Sequence, residues 1–170
     1  MSSIKVGVIG IGNMGTSHAL HLYNEQVRGA SLSAVCDINK DRLSWAKDNL
    51  PEDVAYFADE DSFLEAAEMD AVIIATPHYH HPEMAIKSFE KGLHVLLEKP
   101  AGVFTRNVKS MNEAAKKSKK IFSIMYNQRT NPIYQKLREL IQAGELGEIK
   151  RTNWIITNWY RSQSYYDSGG

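Results

Sequence analysis

A single cysteine, Cys36, stands among 170 residues, and this excludes an internal disulfide framework. Its place at the end of an apolar strand predicts a small buried hydrophobe. Net charge is missing as well. Basic and acidic residues number 20 each, so no global field draws the chain to nucleic acid or to an anionic membrane. The one local excess, Lys116-Lys117-Ser118-Lys119-Lys120, suits the solvated C-terminal end of a helix. No apolar window approaches the length that spans a bilayer. The N-terminus lacks the basic segment, apolar stretch and cleavage site of a signal peptide. Repeats and low-complexity segments are absent too. These absences predict a cytoplasmic globular protein with neither nucleic-acid nor membrane partners.

What is present is alternation. Apolar runs at 4–9, 31–36, 54–57, 71–75, 93–97 and 121–125 read as six strands, and amphipathic segments between them read as helices. Asn39 caps the second helix, which runs to about Asn49; Asp61 or Ser62 opens the third; Pro82 occupies the first turn of the fourth, which ends at Gly92; Thr105 caps the fifth. The run Ala71-Val72-Ile73-Ile74-Ala75 is continuously apolar, as a central strand covered on both faces must be. Strand–helix alternation predicts an α/β fold, a Rossmann-type doubly wound parallel sheet with right-handed crossovers.

Near residue 126 the character changes. Asn131-Pro132 reads as a cap followed by a first-turn proline, and Gly144 closes that helix. Residues 149–160, rich in Trp, Ile and Thr, read as one long strand. A lone strand after one helix cannot bury its faces or satisfy its edges. Residues 1–126 are therefore expected to form a dinucleotide-binding domain, and 127–170 the opening of an α+β second domain whose remainder lies beyond this chain.

The chemistry starts at the first turn. Strand 4–9 runs into Gly10-Ile11-Gly12-Asn13-Met14-Gly15, a G-x-G-x-x-G between a strand and a helix. Gly10 permits the tight turn, Gly12 lets the backbone approach a pyrophosphate, and Gly15 lets helix and strand pack closely. The helix N-terminus offers unpaired N–H groups and a positive dipole end to the phosphates. Asp37 ends the second strand, where an acidic side chain accepts from the adenosine ribose hydroxyls. Ile38 would pack on the adenine. No arginine follows Asp37 to receive a 2′-phosphate, so NAD is favoured, with NADP the alternative. A methyltransferase-type fold using the glycine loop for S-adenosylmethionine is a further reading at this point.

Ligands in open parallel sheets bind beyond the carboxyl ends of the strands. Thr76-Pro77-His78-Tyr79-His80-His81 follows the fourth strand and Glu98-Lys99-Pro100 the fifth, so both are expected at the same crevice. His78, His80 and His81 crowd together without a Cys or carboxylate at ligand spacing, and no metal site is expected. His18 reads as a helix-packing residue and His94 as structural.

Gly10 to Gly15, Asp37, Ala75-Thr76-Pro77 with His81 four residues after the proline, and above all Glu98-Lys99-Pro100 resemble the Gfo/Idh/MocA oxidoreductases. Gln128-Arg129 and Gly144-Glu145-Leu146-Gly147-Glu148-Ile149 resemble that family's entry into its second domain. The resemblance implies an NAD(P)-dependent enzyme that transfers a hydride between the nicotinamide and a hydroxyl or keto group of a sugar, polyol or related small molecule. It also implies a substrate-binding second domain and a homo-oligomer at full length. Lys99 is then the catalytic residue: its amino group can orient the hydroxyl, help remove its proton and, once protonated, stabilise developing alkoxide charge. Glu98 would orient Lys99 or the cofactor's ribose, and Pro100 would shape the turn, where the X–Pro bond tolerates cis as well as trans. Thr76, Pro77 and His81 would face the cofactor. At the domain junction lie Tyr126, Asn127, Gln128 and Arg129. Arg129 is expected either to contact substrate or to bridge the domains, and Tyr160 and Arg161 are expected substrate contacts, beside Trp154 and Trp159, which read as packing residues. The family's second-domain His and Asp have no counterpart in 127–170. This chain is thus expected to bind cofactor without the complete catalytic set. A non-catalytic dinucleotide-binding or sensing module is the alternative.

Overall fold

Six short apolar runs pair into one sheet in the computed structural model, which describes residues 3–157 and 160–167. The strands are β1 (Ile4–Ile9), β2 (Ala30–Cys36), β3 (Ala55–Phe57), β4 (Ala71–Ile74), β5 (His94–Leu97) and β6 (Phe122–Ile124). Their order is β3-β2-β1-β4-β5-β6, and every pairing is parallel. Helices α1 (Asn13–Tyr23), α2 (Lys40–Asn49), α3 (Glu60–Ala66), α4 (His81–Glu90) and α5 (Thr105–Ser118) make the connections. The order reverses between β1 and β4, so this doubly wound sheet has its topological switch point there, where a crevice opens at the carboxyl ends of the strands.

The central strands read as unbroken apolar runs because both faces are covered. Val8, Val35 and Ile73 pack in one cluster with Ala19, Leu22 and Ala46 of α1 and α2. Their neighbours Ile9, Cys36, Val72 and Ile74 pack in the other, with Phe63, Ala85, Phe89 and Met111 of α3, α4 and α5. Side chains that alternate at period two thus divide cleanly between two helical layers. Cys36 is buried, as its strand position predicts.

Two caps differ from expectation. Asp59, not Asp61 or Ser62, caps α3: its Oδ1 accepts from the Ser62 N–H at 2.8 Å. Thr105 is the first helical residue of α5, and the extended residue before it is Phe104, with no side-chain cap bond. A residue already in helical conformation cannot take the half-extended N-cap role. Phe104 instead sets its ring edge-on to Tyr79, with centroids 6.1 Å apart.

The chain divides into two units, residues 1–126 and 127–170. In the second, a 3-10 turn (Asn127–Thr130) precedes α6 (Pro132–Gln142). Asn131 caps α6 by accepting from the Ile133 N–H at 2.9 Å, and Gly144 takes a left-handed φ of 74° just beyond the helix end. The long strand expected over 149–160 does not form among the described residues, and Trp159 lies outside them. A strand must satisfy its backbone groups on a neighbour, and among the described residues of this unit there is no second strand to pair with. Trp154, Ile155 and Ile156 are exposed. A short helix, α7 (Gln163–Asp167), follows, closed by a Gln163 to Asp167 side-chain bond.

Candidate cofactor site

The glycine loop is built by close approach. Gly10 sits at φ 87°, a region costly for any residue with a Cβ. A Cβ on Gly15 would stand 1.7 Å from the Gly10 carbonyl oxygen, whereas one on Gly12 would meet nothing within 4 Å. Gly10 and Gly15 are thus required by the fold itself, while Gly12 faces open space at the N-terminus of α1. Gly12 supplies no side-chain cap, so the first-turn N–H groups have no intrahelical or side-chain acceptor. Asn13 and Met14 are exposed there. Such a helix end receives an anion.

Asp37 ties this loop to the end of β2. Its Oδ2 accepts from the Ile11 N–H at 2.6 Å, and its Oδ1 from the Asn39 N–H at 2.8 Å. Ile11, expected to contact the cofactor, has its side chain fully buried in the core and its N–H committed to Asp37. It acts by fixing the carboxylate. Ile38 is 87% exposed beside it, free to cover a flat ring. A crevice of about 180 Å³ opens here, lined by Gly10, Asp37, Ile38, Glu60, Thr76 and His80 among others. A larger hollow of about 700 Å³ lies between α4 and α5, lined by Ile86, Phe89, Lys109 and Glu113; none of the strand-end residues contributes to it.

Glu98 ends β5 almost buried, at 6% exposure. Its Oε1 pairs with His18 Nε2 at 2.9 Å, and its Oε2 accepts from the Lys99 backbone N–H at 3.1 Å. One carboxylate oxygen thus holds the His18 ring and the other the Lys99 backbone N–H. Lys99 is exposed, and the Lys99-Pro100 bond is cis. His18, expected only to pack, is the residue the sequence concealed. It lies three residues past Gly15 and reaches 80 positions ahead to Glu98, a pairing that no local spacing signals.

His81 also departs from expectation. It is fully buried, with Nδ1 2.8 Å from the Pro100 carbonyl oxygen and Nε2 2.8 Å from that of Thr76. No edge remains for a cofactor, so His81 joins the two strand-end turns. A neutral imidazole can donate to only one of the two carbonyls. Burial, opposed by those carbonyls, holds its pKa below the usual histidine value. Thr76 donates to Met84 Sδ at 3.3 Å, and Pro77 is exposed. His94 is structural: its Nδ1 accepts from the Ile121 N–H at 2.9 Å.

In the second unit, Arg129 lies on the 3-10 turn and shares a hollow with Tyr134, Arg138 and Trp154. Tyr160 is 88% exposed. The Arg161 guanidinium lies 4.1 Å from the Tyr165 ring centroid. Among the described residues there is no cluster of three His, Cys, Asp or Glu side chains fit to hold a metal ion. No helix among them is long and apolar enough to cross a membrane.

Residues 4–126 match the Gfo/Idh/MocA model, described as an oxidoreductase family with an NAD-binding Rossmann fold. The chain belongs to this family. It is 31% identical over 167 residues to an inositol 2-dehydrogenase of Corynebacterium glutamicum, covering 98% of this chain and 49% of that protein. The scyllo-inositol dehydrogenase of Lactobacillus casei, solved with NAD(H) and scyllo-inositol, superposes with a TM-score of 0.82 at 27% identity, over 87% of this chain and 43% of that one. The WlbA dehydrogenase of Chromobacterium violaceum, solved with NADH and UDP-GlcNAcA, superposes at 0.86 and 28% identity over 100% of this chain and 48% of that one. This Gfo/Idh/MocA chain thus spans about half the length of the relatives it matches, and its residues 4–126 are the family's NAD-binding Rossmann domain.

Proposed function

We propose that residues 1–126 bind NAD in preference to NADP, and that the whole protein oxidises a hydroxyl of a sugar or polyol in the cytoplasm, as a homo-oligomer. In this reading 127–170 begin the substrate domain. The observation that carries it is the joint placement of the glycine loop, Asp37 and Lys99 at the carboxyl ends of β1, β2 and β5, on both sides of the switch point. The first turn of α1, with Asn13 and Met14, receives the pyrophosphate through backbone N–H groups. Asp37, already accepting two backbone bonds, keeps lone pairs for a ribose diol. Thr76 and Pro77 border the same crevice. Bound NAD+ would supply the hydride acceptor. Lys99 Nζ holds the substrate hydroxyl, carries off its proton and faces the alkoxide charge as it develops. Glu98 and His18 keep the lysine's backbone in place. Arg129, Tyr160 and Arg161 remain our proposed contacts to substrate hydroxyls.

Titration of the folded chain with NADH, NADPH and S-adenosylmethionine, followed by dihydronicotinamide fluorescence or calorimetry, is the direct check. NADH should bind tightest and S-adenosylmethionine not at all. Absence of NADH binding would remove the reading. In the full-length enzyme, Lys99→Ala should lower kcat by about 10²-fold or more while the Kd for NADH moves less than about threefold, because in this reading its backbone alone borders the cofactor. Equal losses in both would contradict the proton-handling role.

A further inference from the structure

Two buried side-chain polar atoms lack a hydrogen-bond partner among the described residues: Ser33 Oγ and Glu60 Oε1. Glu60 lines the crevice beside Asp37 and Ile38; Ser33 does not. The placement follows from the sheet. Cys36 of β2 is in register with Phe57 of β3, and the Asp37 N–H donates to the Phe57 carbonyl at 3.1 Å. The chain leaving β3 therefore emerges next to Asp37, and Glu60 opens α3 there. Its other oxygen, Oε2, accepts from Lys87 Nζ of α4 at 3.1 Å, so the side chain is pinned from the far side.

An acceptor shut away from water and left unpaired is costly, the more so on a carboxylate. With Oε2 held by Lys87, Oε1 is the oxygen left to accept a donor at the crevice that Glu60 lines. What satisfies it must be a donor arriving in a slot of about 180 Å³, room for one heterocycle rather than a whole dinucleotide. If Asp37 holds the adenosine ribose, the base attached to that ribose is what enters. Adenine carries an amino donor at position 6, whereas a 6-oxo purine carries an acceptor there.

We infer that Glu60 is a specificity residue that reads the adenine amino group and rejects 6-oxo purine dinucleotides. This rests on the dinucleotide reading above, so the experiment separates the two. The folded 170-residue chain is titrated with NADH and with the reduced nicotinamide hypoxanthine dinucleotide, in which an oxo group replaces the amino group at position 6 and N1 carries a hydrogen. Their shared dihydronicotinamide fluorescence reports both. The wild type should favour NADH by about tenfold or more. Glu60→Gln keeps an acceptor for Lys87 and adds an amide donor, so it should shrink the preference to less than about threefold, chiefly by tighter binding of the hypoxanthine form. Equal affinities in the wild type, or an unchanged preference in Glu60→Gln, would overturn the role of Glu60 and leave dinucleotide binding intact. Binding of neither ligand by the folded wild type would remove both. Should Glu60→Gln fail to melt cooperatively, the wild-type comparison alone decides.

Discussion

Asp37 performs two tasks with one carboxylate: it pins the glycine loop through the Ile11 N–H at 2.6 Å, and it faces the crevice that Ile38 borders. The tasks separate by substitution. Asp37→Ala removes both, and NADH affinity should fall about tenfold or more, the scale of hydrogen bonds to a charged group. Asp37→Asn keeps an oxygen for Ile11 but removes the charge that repels a 2′-phosphate. Its Kd for NADPH should improve relative to NADH, and an unchanged ratio in a fluorescence titration would show that Asp37 does not discriminate. The positions of Gly10, Gly15, Asp37 and Lys99 at the strand ends were legible in the sequence because backbone geometry dictates them locally. His18, Glu60 and the burial of His81 were not. Each depends on a partner outside its own element: the Glu98 side chain for His18, the Lys87 side chain for Glu60, and the Thr76 and Pro100 backbone carbonyls for His81. Ile11 shows the converse, since a position inside the motif proved to be core.

At the scale of elements, α4 is fastened at its first residue. His81 links the turn after β4 to the turn after β5, so the helix start and the Lys99-Pro100 segment share one bridge. Burial, with His78 adding to it and Glu98 opposing, keeps the imidazole pKa below the ordinary histidine value of 6.5. The unfolded chain then takes up a proton more readily than the native state. Native stability contributed by neutral His81 is full above about pH 6.5 and is lost as pH falls through the depressed folded value. His81→Gln retains a donor but cannot titrate. Chemical denaturation of both proteins from pH 7.5 to 5 should show the wild type losing stability faster below pH 6.5, with the variant weaker at neutral pH but flatter. Parallel curves would mean that His81 is not buried in its neutral form. Sequence periodicity placed this helix and its first-turn Pro82 correctly, since both are local. It misplaced the cap of α5 because Phe104 answers to Tyr79 across the strand ends, not to its own helix.

For the whole molecule, the decisive contrast is where burial resides. Every member of the two buried clusters lies between Val6 and Met111, and the partly buried side chains against them extend only to Phe122. In the second unit α6 has no buried residue, and Ile133, Leu137 and Ile141 are 74%, 45% and 44% exposed. Its apolar stripe is a sound helix signal, yet among the described residues of this chain it covers no core. The strand expected over 149–160 does not form among the described residues for the same reason: its composition suits a sheet, but pairing is a property of partners. Stability and cofactor binding should therefore be separable from residues 127–170. A chain ending at Tyr126 keeps the sheet, both helical layers, the glycine loop, Asp37, Glu60 and Lys99. Its thermal midpoint should fall by no more than a few degrees, corresponding to about 1 kcal/mol or less, and its Kd for NADH should stay within about threefold of that of the longer chain. Loss of a cooperative melt, or a tenfold weaker Kd, would mean that the second unit completes the fold or the site. Retention of both, with a lower tendency to associate, would follow from removing the exposed stripe of α6.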